Sequence, residues 1–330
     1  MDVIVTGALG FIGSHLCDHF LKQGCRVVGI DDLSTSTLNS RHSMELLKQH
    51  NFLFKNFSIE DKDSWSEIAG HHYWGLKPSL IFNFACPASP PLYQRMAIKT
   101  MMTCTAGTNN VLEYASQQIQ QIKVIHASTS EVYGDPQVSP QSEEYRGCVN
   151  PFGPRSCYDE GKRAAEALCH DYMTYRGVDV RIVRIFNTYG PHLSPYDGRV
   201  VSNFIKQALA NEPMTIYGDG SQTRSMCYVS DLVDGIVKLS ELKDNPKFPI
   251  NLGNPQEFKM KALAEIVREI VSSVNDKPST SDLIYEPLPV DDPKQRLPDI
   301  KKASLLLKWY PKVGLHEGIS MTARYMKDGY

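Results

Sequence analysis

The N-terminal part of the chain carries the pattern that most restricts its possible folds. The β-branched run Asp2-Val-Ile-Val-Thr6 predicts a buried strand, and the glycine-rich run Gly7-Ala-Leu-Gly-Phe-Ile-Gly13 follows it directly. A helical segment, 14–22, comes next, and a second predicted strand, 25–30, ends in the carboxylates Asp31-Asp32. Strand, glycine turn, helix and acidic strand end together predict a dinucleotide-binding βαβ unit.

This unit favours NAD as the cofactor. Glycines allow a tight turn, and the free N–H groups at the start of the following helix attract a pyrophosphate. A carboxylate at the end of the second strand suits the hydroxyls of the adenosine ribose and repels a 2′-phosphate, so NAD is preferred over NADP. A plain structural turn is the alternative for the glycines alone. The predicted contacts are Gly7, Gly10, Phe11, Ile12, Gly13, Asp31 and Asp32.

Composition excludes several classes of protein. The chain has 330 residues, enough for one extended or two closely joined domains, and its net charge of -2 argues against a nucleic-acid partner. Its eight cysteines include no CxxC pair, so we predict no metal and no disulfides, as in a reducing, cytoplasmic environment. No apolar run reaches membrane-spanning length and the first strand starts directly after Met1, so we expect no membrane contact and no signal peptide.

Two later strands are predicted to end in residues suited to a ligand. The apolar run 80–85 leads into a proline-rich loop, 86–91, and the run 123–128 leads into Thr129-Ser-Glu-Val-Tyr-Gly134. Open α/β sheets bind ligands beyond the carboxyl ends of their strands, so these hydroxyls and this carboxylate are well placed to touch a substrate. A simple N-cap and turn cluster is the alternative.

A tyrosine and a lysine lie four residues apart in the segment Tyr158-Asp-Glu-Gly-Lys162, which the composition of 158–169 predicts to be helical. Both side chains then project from one helix face, one turn apart. A lysine ammonium beside a phenol favours the phenolate, so Tyr158 is a candidate base whose reaction needs a hydride acceptor. An ordinary helix with an accidental Tyr/Lys pair is the alternative for this motif alone.

These motifs together resemble the extended short-chain dehydrogenase/reductase family acting on nucleotide sugars, and more narrowly its UDP-glucuronate decarboxylases. The GxxGxxG spacing, the strand-end Asp31 and the Tyr/Lys pair belong to this pattern. Longer matching runs extend along most of the chain, at 86–90, 128–136, 155–163, 184–191, 197–203, 217–225, 251–254 and 291–299.

The resemblance implies an α/β fold, a Rossmann-type doubly wound parallel sheet with a smaller mixed α/β substrate-binding cap. The active site would lie in the cleft between them. Members commonly form homodimers through two helices, here 97–117 and 155–176. The two domains would comprise 1–188 plus 229–253 for NAD, and 189–228 plus 254–330 for the nucleotide sugar.

The resemblance also implies a reaction on UDP-glucuronate. Tyr158 would remove the sugar O4 proton while the C4 hydride passes to NAD, and the resulting 4-keto sugar would lose carbon dioxide. Return of the hydride gives UDP-xylose and regenerates NAD. Thr129 would steady the O4 oxygen, and Lys162 would bind the nicotinamide ribose and lower the pKa of Tyr158. Further implied cofactor contacts are Ala85, Thr100, Tyr158 and Lys162.

The run Thr129-Ser130-Glu131 bears on which reaction is favoured. Related 4,6-dehydratases carry Thr-Asp-Glu at this run. Loss of water needs an acid, which Ser130 cannot readily supply, whereas decarboxylation needs no acid. Glu131 would position the sugar ring or help protonate C5, and Arg296 would approach the substrate carboxylate. A 4,6-dehydratase, a UDP-sugar 4-epimerase and a non-catalytic NAD-binding protein remain the alternatives.

The remaining implied residues concern the UDP-sugar. Asn187 and Arg224 would contact the diphosphate, and Arg199 the diphosphate or the cofactor. Tyr217 would lie beside the uridine and Lys99 near the sugar. Each of these could alternatively be a surface or capping residue.

Two segments depart from the family pattern. Relatives carry an aspartate after the third strand that contacts the adenine, and the corresponding 56–59 here has no acid. The loop after the second strand, 32–36, also differs from the common Asn-Phe-Phe-Thr-Gly. The sequence therefore predicts an altered adenine contact.

Overall fold

The computed structural model describes residues 1–70, 75–291, 293 and 295–329. Two positions of the last matching run, Asp292 and Lys294, and the final residue of the predicted cap, Tyr330, lie outside them. The strands are β1 Asp2–Thr6, β2 Arg26–Asp31, β3 Phe52–Asn56, β4 Pro78–Asn83, β5 Lys123–Thr129, β6 Asp179–Ile185, β7 Thr188–Tyr189, β8 Met214–Tyr217, β9 Thr223–Ser225, β10 Cys227–Tyr228, β11 Ile250–Leu252, β12 Glu257–Lys259, β13 Leu283–Glu286 and β14 Gln295–Arg296.

Helices connect most of these strands, as an alternating α/β order requires. A π-helical turn, Thr103–Gly107, joins two of them, and a 3₁₀ turn, Ser130–Tyr133, follows β5. The α-helices are α1 Phe11–Lys22, α2 Arg41–Leu47, α3 Lys62–Gly70, α4 Pro90–Arg95, α5 Ala97–Met102, α6 Thr108–Ser116, α7 Ser156–Arg176, α8 Val200–Ala210, α9 Val229–Glu241, α10 Met260–Asn275, α11 Lys301–Leu307 and α12 Leu315–Lys327. No helix of the described ranges is both long enough and apolar enough to cross a membrane.

Seven of the described strands form a parallel sheet in the order β3-β2-β1-β4-β5-β6-β11. Helices cover both faces, so the central strands are apolar on both sides, and β1 is buried at all five positions. The core on one face includes α1 and α9, and the core on the other includes α6 and α7. The predicted Rossmann-type α/β fold is confirmed.

The later part of the chain forms smaller layers beside this sheet. Helices α8, α10 and α12 pack on one another, and the short strands pair as β13-β8, β12-β9-β14 and β10-β7. Strand β11 returns to the central sheet beside β6, and α9 packs over it. We propose on this basis the two-domain division expected from the sequence.

The strand order reverses between β1 and β4, which are neighbours in the sheet. A crevice opens at such a point because the connections on either side lead to opposite faces of the sheet. The fold therefore places the ends of β1, β2, β4 and β5 around one potential ligand site.

Candidate active site

A cavity of about 770 Å³ opens beyond the carboxyl ends of these strands. Its wall combines the glycine loop after β1, the end of β5, the start of α7 and the strands β9 and β14. The volume lies within the range of sites that enclose small ligands, roughly 300–1,000 Å³. The cavity therefore brings together the cofactor, catalytic and substrate motifs of the sequence.

The glycine loop has the shape of a phosphate cradle. Gly7 has a left-handed φ of 68°, and a Cβ at Gly13 would lie 2.0 Å from the Gly7 carbonyl oxygen. Gly10 caps α1 and no side chain caps the helix, so its first N–H groups remain available to an anion. The predicted residues Phe11 and Ile12 also line the cavity. These features fit the pyrophosphate of a dinucleotide.

Replacing Gly13 by alanine is expected to disrupt this loop. The new methyl group would press on the Gly7 backbone, so we expect the free energy of unfolding to fall by about 1–3 kcal/mol or more, with loss of NAD binding. Urea denaturation and NAD titration measure both effects. Gly314→Ala is the matched control, because a Cβ there meets nothing within 4 Å. Equal stability and NAD affinity in the two variants would contradict the packing argument.

The two carboxylates after β2 have different surroundings. Asp31 is buried and accepts hydrogen bonds from Leu9 N at 3.0 Å, Leu33 N at 2.9 Å and Ser36 Oγ at 2.7 Å. Burial raises the pKa of Asp31, although these hydrogen bonds lower it in part. Asp31 therefore ties the glycine loop to the end of β2.

Asp32 is the more accessible of the two carboxylates. Its Oδ2 lies 2.6 Å from Lys99 Nζ, and burial, which would raise the pKa of Asp32, is outweighed by this lysine and Ser34. Lys99 and Thr100 are absent from the described cavity wall, and Thr100 is fully buried. The predicted contact between Lys99 and the sugar stays a prediction. The observed partner of Lys99 is Asp32, one of the residues predicted to contact the cofactor.

Tyr158, Lys162 and Thr129 converge on the middle of the cavity. Lys162 Nζ donates to the Ala127 carbonyl at 2.8 Å and lies 5.9 Å from the centroid of the Tyr158 ring. Burial raises the pKa of Tyr158 well above its ordinary value, and a hydrogen bond with Thr129 lowers it only in part. The low pKa that the sequence predicted for Tyr158 from its lysine neighbour is therefore not found in the chain alone, because burial has the larger effect.

Glu131 is held between two arginines. Its Oε2 lies 2.6 Å from Arg155 Nη2 and 2.9 Å from Arg296 Nη2. Burial would raise the pKa of Glu131, but Arg296 and Arg155 outweigh it and hold the pKa below its usual value. Arg296 also donates to the Gly134 carbonyl at 2.8 Å and is 1% exposed. Glu131 is therefore a charged, doubly paired carboxylate, and its neighbour Ser130 is buried.

Asp159 adds a second carboxylate behind this group. It lies 3.7 Å from Arg155 in the geometry of a weak ion pair, and its Oδ1 is buried without a hydrogen-bond partner. Burial, followed by the charge of Glu131, raises the pKa of Asp159 to about 7. Asp159 therefore changes charge near neutral pH.

The stability of the protein should depend on pH through Asp159. Because its folded pKa of about 7 exceeds the unfolded value of 3.8, the unfolded state loses its proton first and stability falls as pH rises between these values. The free energy of unfolding of Asp159→Asn, taken relative to that of the wild type, should therefore rise by about 2–3 kcal/mol as the pH is raised from 5 to 8. Urea denaturation at both pH values tests this, with the exposed Asp244→Asn as control. A constant difference would contradict the assigned pKa.

The predicted UDP-sugar residues lie at the other end of the cavity. Asn187, Arg199, Tyr217 and Arg224 line its wall. Arg199 is paired with Asp197, with Nη2 2.8 Å from Oδ2. Arg224 donates to the backbone carbonyls of residues 223 and 293, and β9–β14 pairing puts it beside Arg296. Together they form a positive surface suited to a diphosphate.

The adenine end keeps the departure noted in the sequence. Residues 57–59 line the cavity with an aromatic ring, a hydroxyl and an aliphatic side chain, and Ala85 lies on the opposite side. Residues 34–36, from the unusual loop, line it as well. Residues 57–59, which stand where relatives carry an aspartate, therefore offer no carboxylate to an adenine.

Two residues of the site were not singled out by the sequence. Tyr93 stacks on Tyr158, with ring centroids 4.9 Å apart and planes 4° apart. Arg155 joins Glu131 to Asp159. One signal for Arg155 was available, because an arginine at the start of a helix opposes the helix dipole and implies another role. Tyr93, in the short helix α4, had no such signal in the sequence.

Comparison with known proteins adds family relations to this geometry. A family model described as GDP-mannose 4,6 dehydratase matches residues 4–322. UDP-glucuronic acid decarboxylase 1 of Xenopus tropicalis is 44% identical over 325 residues, 98% of this chain and 72% of that protein. UDP-glucuronic acid decarboxylase 1 of Arabidopsis thaliana is 46% identical over 319 residues, 97% of this chain and 68% of that protein.

Solved structures show the same likeness. The UDP-glucuronic acid 4-epimerase from Bacillus cereus, in complex with UDP-glucuronic acid and NAD, is 29% identical, with a TM-score of 0.84 and 100% of both chains covered. The UDP-glucose 4-epimerase from Thermotoga maritima, with UDP-glucose, is 28% identical, with a TM-score of 0.87 and 99% of both chains covered.

Proposed function

Because this chain belongs to the extended short-chain dehydrogenase/reductase family of nucleotide-sugar enzymes, and within it to the UDP-glucuronic acid decarboxylases, we propose that it converts UDP-glucuronate to UDP-xylose and carbon dioxide. One observation carries the proposal most directly. Tyr158, Lys162, Thr129 and Glu131 meet in a cavity that also contains a phosphate cradle. A base, its orienting groups and two anion-binding ends are what this reaction requires.

The cofactor would bind along the glycine loop and the end of β2. NAD, when bound there, supplies the hydride acceptor for C4 and returns the hydride at the end of the cycle. Gly7, Gly10 and Gly13 would hold its pyrophosphate, and the carboxylate of Asp32 is the accessible one for the ribose. These assignments follow the chemistry of the donor groups.

Tyr158 would act as the base on the sugar O4 hydroxyl. Thr129 hydrogen-bonds this phenol and would pass from it to the developing O4 oxygen as the ketone forms. Lys162 is held in the site by its hydrogen bond to the Ala127 carbonyl, and its ammonium adds positive charge near the Tyr158 ring. Burial raises the pKa of Tyr158, and the positive charge that an oxidised nicotinamide would bring to the site would oppose this rise.

Decarboxylation follows from the 4-ketone. The C6 carboxylate is β to this ketone, so when the C5–C6 bond breaks, its electron pair forms an enolate and carbon dioxide leaves. The protonated Tyr158 and Thr129 would donate hydrogen bonds to the enolate oxygen. Protonation at C5 then restores the ketone before it is reduced at C4.

The charge state of Glu131 argues against a 4,6-dehydratase. Elimination of water needs a proton donor at the C6 hydroxyl. The pKa of Glu131 is held low by Arg296 and Arg155 in spite of burial, and the neighbouring position is Ser130. The site therefore lacks a suitable acid at this run, whereas loss of carbon dioxide does not require one.

A 4-epimerase of UDP-glucuronate is the second candidate, because the UDP-glucuronic acid 4-epimerase from Bacillus cereus has the same fold over its full length. Both reactions share the 4-ketone, and they differ in whether it loses carbon dioxide or is reduced from its other face. The product therefore decides between them.

Mass spectrometry of the purified protein with UDP-glucuronate and a catalytic amount of NAD tests the proposal. We expect carbon dioxide and UDP-xylose to accumulate without net reduction of NAD. An isomer of unchanged mass would instead establish epimerisation. UDP-glucose serves as the parallel substrate, and its dehydration with UDP-glucuronate untouched would refute the decarboxylase assignment.

We also propose that the protein forms a homodimer in the cytoplasm. Helices α5 and α7 carry exposed apolar side chains, with Ile98 83% and Tyr175 77% exposed, which supports a contact surface there. All eight cysteines are free thiols, which suits a reducing compartment. Analytical ultracentrifugation should give a dimer, and Ile98→Glu should shift it towards monomer. A wild-type chain sedimenting as a monomer would end this proposal.

A further inference from the structure

A cluster of imidazoles lies where α1, α2 and the loop after β7 meet. The rings of His42 and His192 stack with centroids 3.6 Å apart, and His15 stacks on His192 at 4.3 Å. Asp18, one turn along α1 from His15, completes the group. The ligand atoms of Asp18, His42 and His192 all lie within 4.8 Å of one another.

The hydrogen bonds of the two inner histidines leave one ring nitrogen of each available. The Ser14 carbonyl accepts a hydrogen bond from His42, whose Nε2 is buried and has no hydrogen-bond partner. His192 directs Nδ1 towards Ser14 Oγ at 3.4 Å. A metal-binding histidine is usually fixed in this way, because an oxygen partner on one nitrogen sets the tautomer and frees the lone pair of the other.

The candidate ligand atoms lie close together. His42 is 8% exposed, and its unpartnered Nε2 lies 3.7 Å from Asp18 Oδ2. An unpaired buried nitrogen is costly for a protein, so a ligand at this point would remove a penalty.

We propose that Asp18, His42 and His192 bind a divalent transition-metal ion of the zinc type. Two imidazoles and one carboxylate suit zinc and its neighbours cobalt, nickel and copper, whereas magnesium and calcium prefer oxygen alone. A tetrahedral ion with bonds near 2.1 Å needs ligand atoms about 3.4 Å apart. Small side-chain rotations that open the imidazole stack therefore complete the site, and water fills the fourth position.

His15 acts as a support for this site. Its Nε2 binds the Pro191 carbonyl at 2.9 Å, next to His192 in the chain, and its ring packs on the His192 ring. It thereby holds the loop that carries His192 against α1. The sequence predicted no metal site because Asp18, His42 and His192 come from three separate segments and form no short motif.

An ion here would connect the two ends of the larger cavity. His192 lines that cavity and belongs to the loop leading to Asp197 and Arg199. Helix α1, which carries Asp18, begins at the glycine cradle. The bound ion would tie the substrate loop to the cofactor helix, so we expect it to raise the midpoint of thermal unfolding.

Cobalt titration of the metal-stripped full-length protein tests the proposal. Cobalt reports tetrahedral nitrogen and oxygen coordination by visible absorption, and zinc should displace it. We expect one ion per chain, with affinity at least 100-fold weaker in His42→Asn and Asp18→Asn. His15→Asn should weaken the cobalt affinity less, by about 10-fold, because His15 supports a ligand and does not bind the ion itself. His170→Asn is the matched control, since His170 is an exposed histidine beside Asp171.

Folding is checked separately in each variant without metal. The Asp18 side chain is 30% exposed, so Asp18→Asn should keep the wild-type far-ultraviolet circular dichroism and urea midpoint. The proposal is overturned if the wild type gives no more cobalt absorption than buffer without protein. It is equally overturned if folded Asp18→Asn and His42→Asn bind cobalt as tightly as His170→Asn does.

Discussion

Tyr158→Phe should lower kcat on UDP-glucuronate by about 10²–10⁴-fold, the contribution typical of a positioned general base. The ring would still stack on Tyr93, so the shape of the cavity should be retained. The phenol oxygen that takes the O4 proton would be gone, so hydride transfer from C4 would proceed without its base and be slow. Steady-state kinetics with detection of UDP-xylose measures the loss.

Two controls separate chemistry from folding in this experiment. NAD affinity and the urea midpoint should remain close to those of the wild type, because the glycine cradle and the Lys162–Ala127 hydrogen bond do not involve the phenol. Tyr310→Phe should leave kcat unchanged, because Tyr310 is exposed and absent from the described cavity wall. If folded Tyr158→Phe turned over at a near-normal rate, tyrosine would not be the base.

Local patterns were sufficient to predict the framework of the fold. The run from Asp2 to Asp31 forms β1, the glycine turn, α1 and β2 because each step depends on residues adjacent in the chain. Tyr158 and Lys162 lie on one helix face for the same reason. A parallel sheet then follows from strands joined by helices, and its switch point fixes where the cavity opens.

Pairings between distant residues could not be predicted in the same way. The sequence assigned Arg296 to the substrate carboxylate, and the structure shows its guanidinium on Glu131 and the Gly134 carbonyl. It placed Lys99 near the sugar, and the structure shows it on Asp32. Charged side chains are long and reach several partners, so their choice depends on tertiary packing that no local pattern encodes.

The paired state of Glu131 has a consequence for its role. A carboxylate shared by two guanidiniums, with its pKa held low by them in spite of burial, is a weak proton donor. Glu131 instead pairs with Arg296, which lies beside Arg224 across β9 and β14, and we propose that this pairing holds Arg296 in place for an anionic substrate. Of the two roles left open by the sequence, positioning therefore fits the geometry better than proton transfer to C5.

Glu131→Gln should consequently lower kcat/KM by about 10²-fold, because a shift of about 1 Å in a group that positions the substrate costs about that much in rate. Arg155 and Arg296 would lose their shared anion, and the fall in negative charge should lower the pKa of Asp159. Glu160→Gln is the control, because Glu160 is a partly exposed glutamate that pairs with Arg163 and is absent from the described cavity wall.

Absorbance of reduced NAD in a single turnover distinguishes the two roles of Glu131. If it positions the substrate, Glu131→Gln slows C4 oxidation itself, and no reduced NAD accumulates ahead of product. If it protonates C5, oxidation proceeds normally and reduced NAD builds up with the 4-keto sugar. Because Glu131 is already engaged by two arginines, we expect the first result, and a burst of reduced NAD would contradict the positioning role.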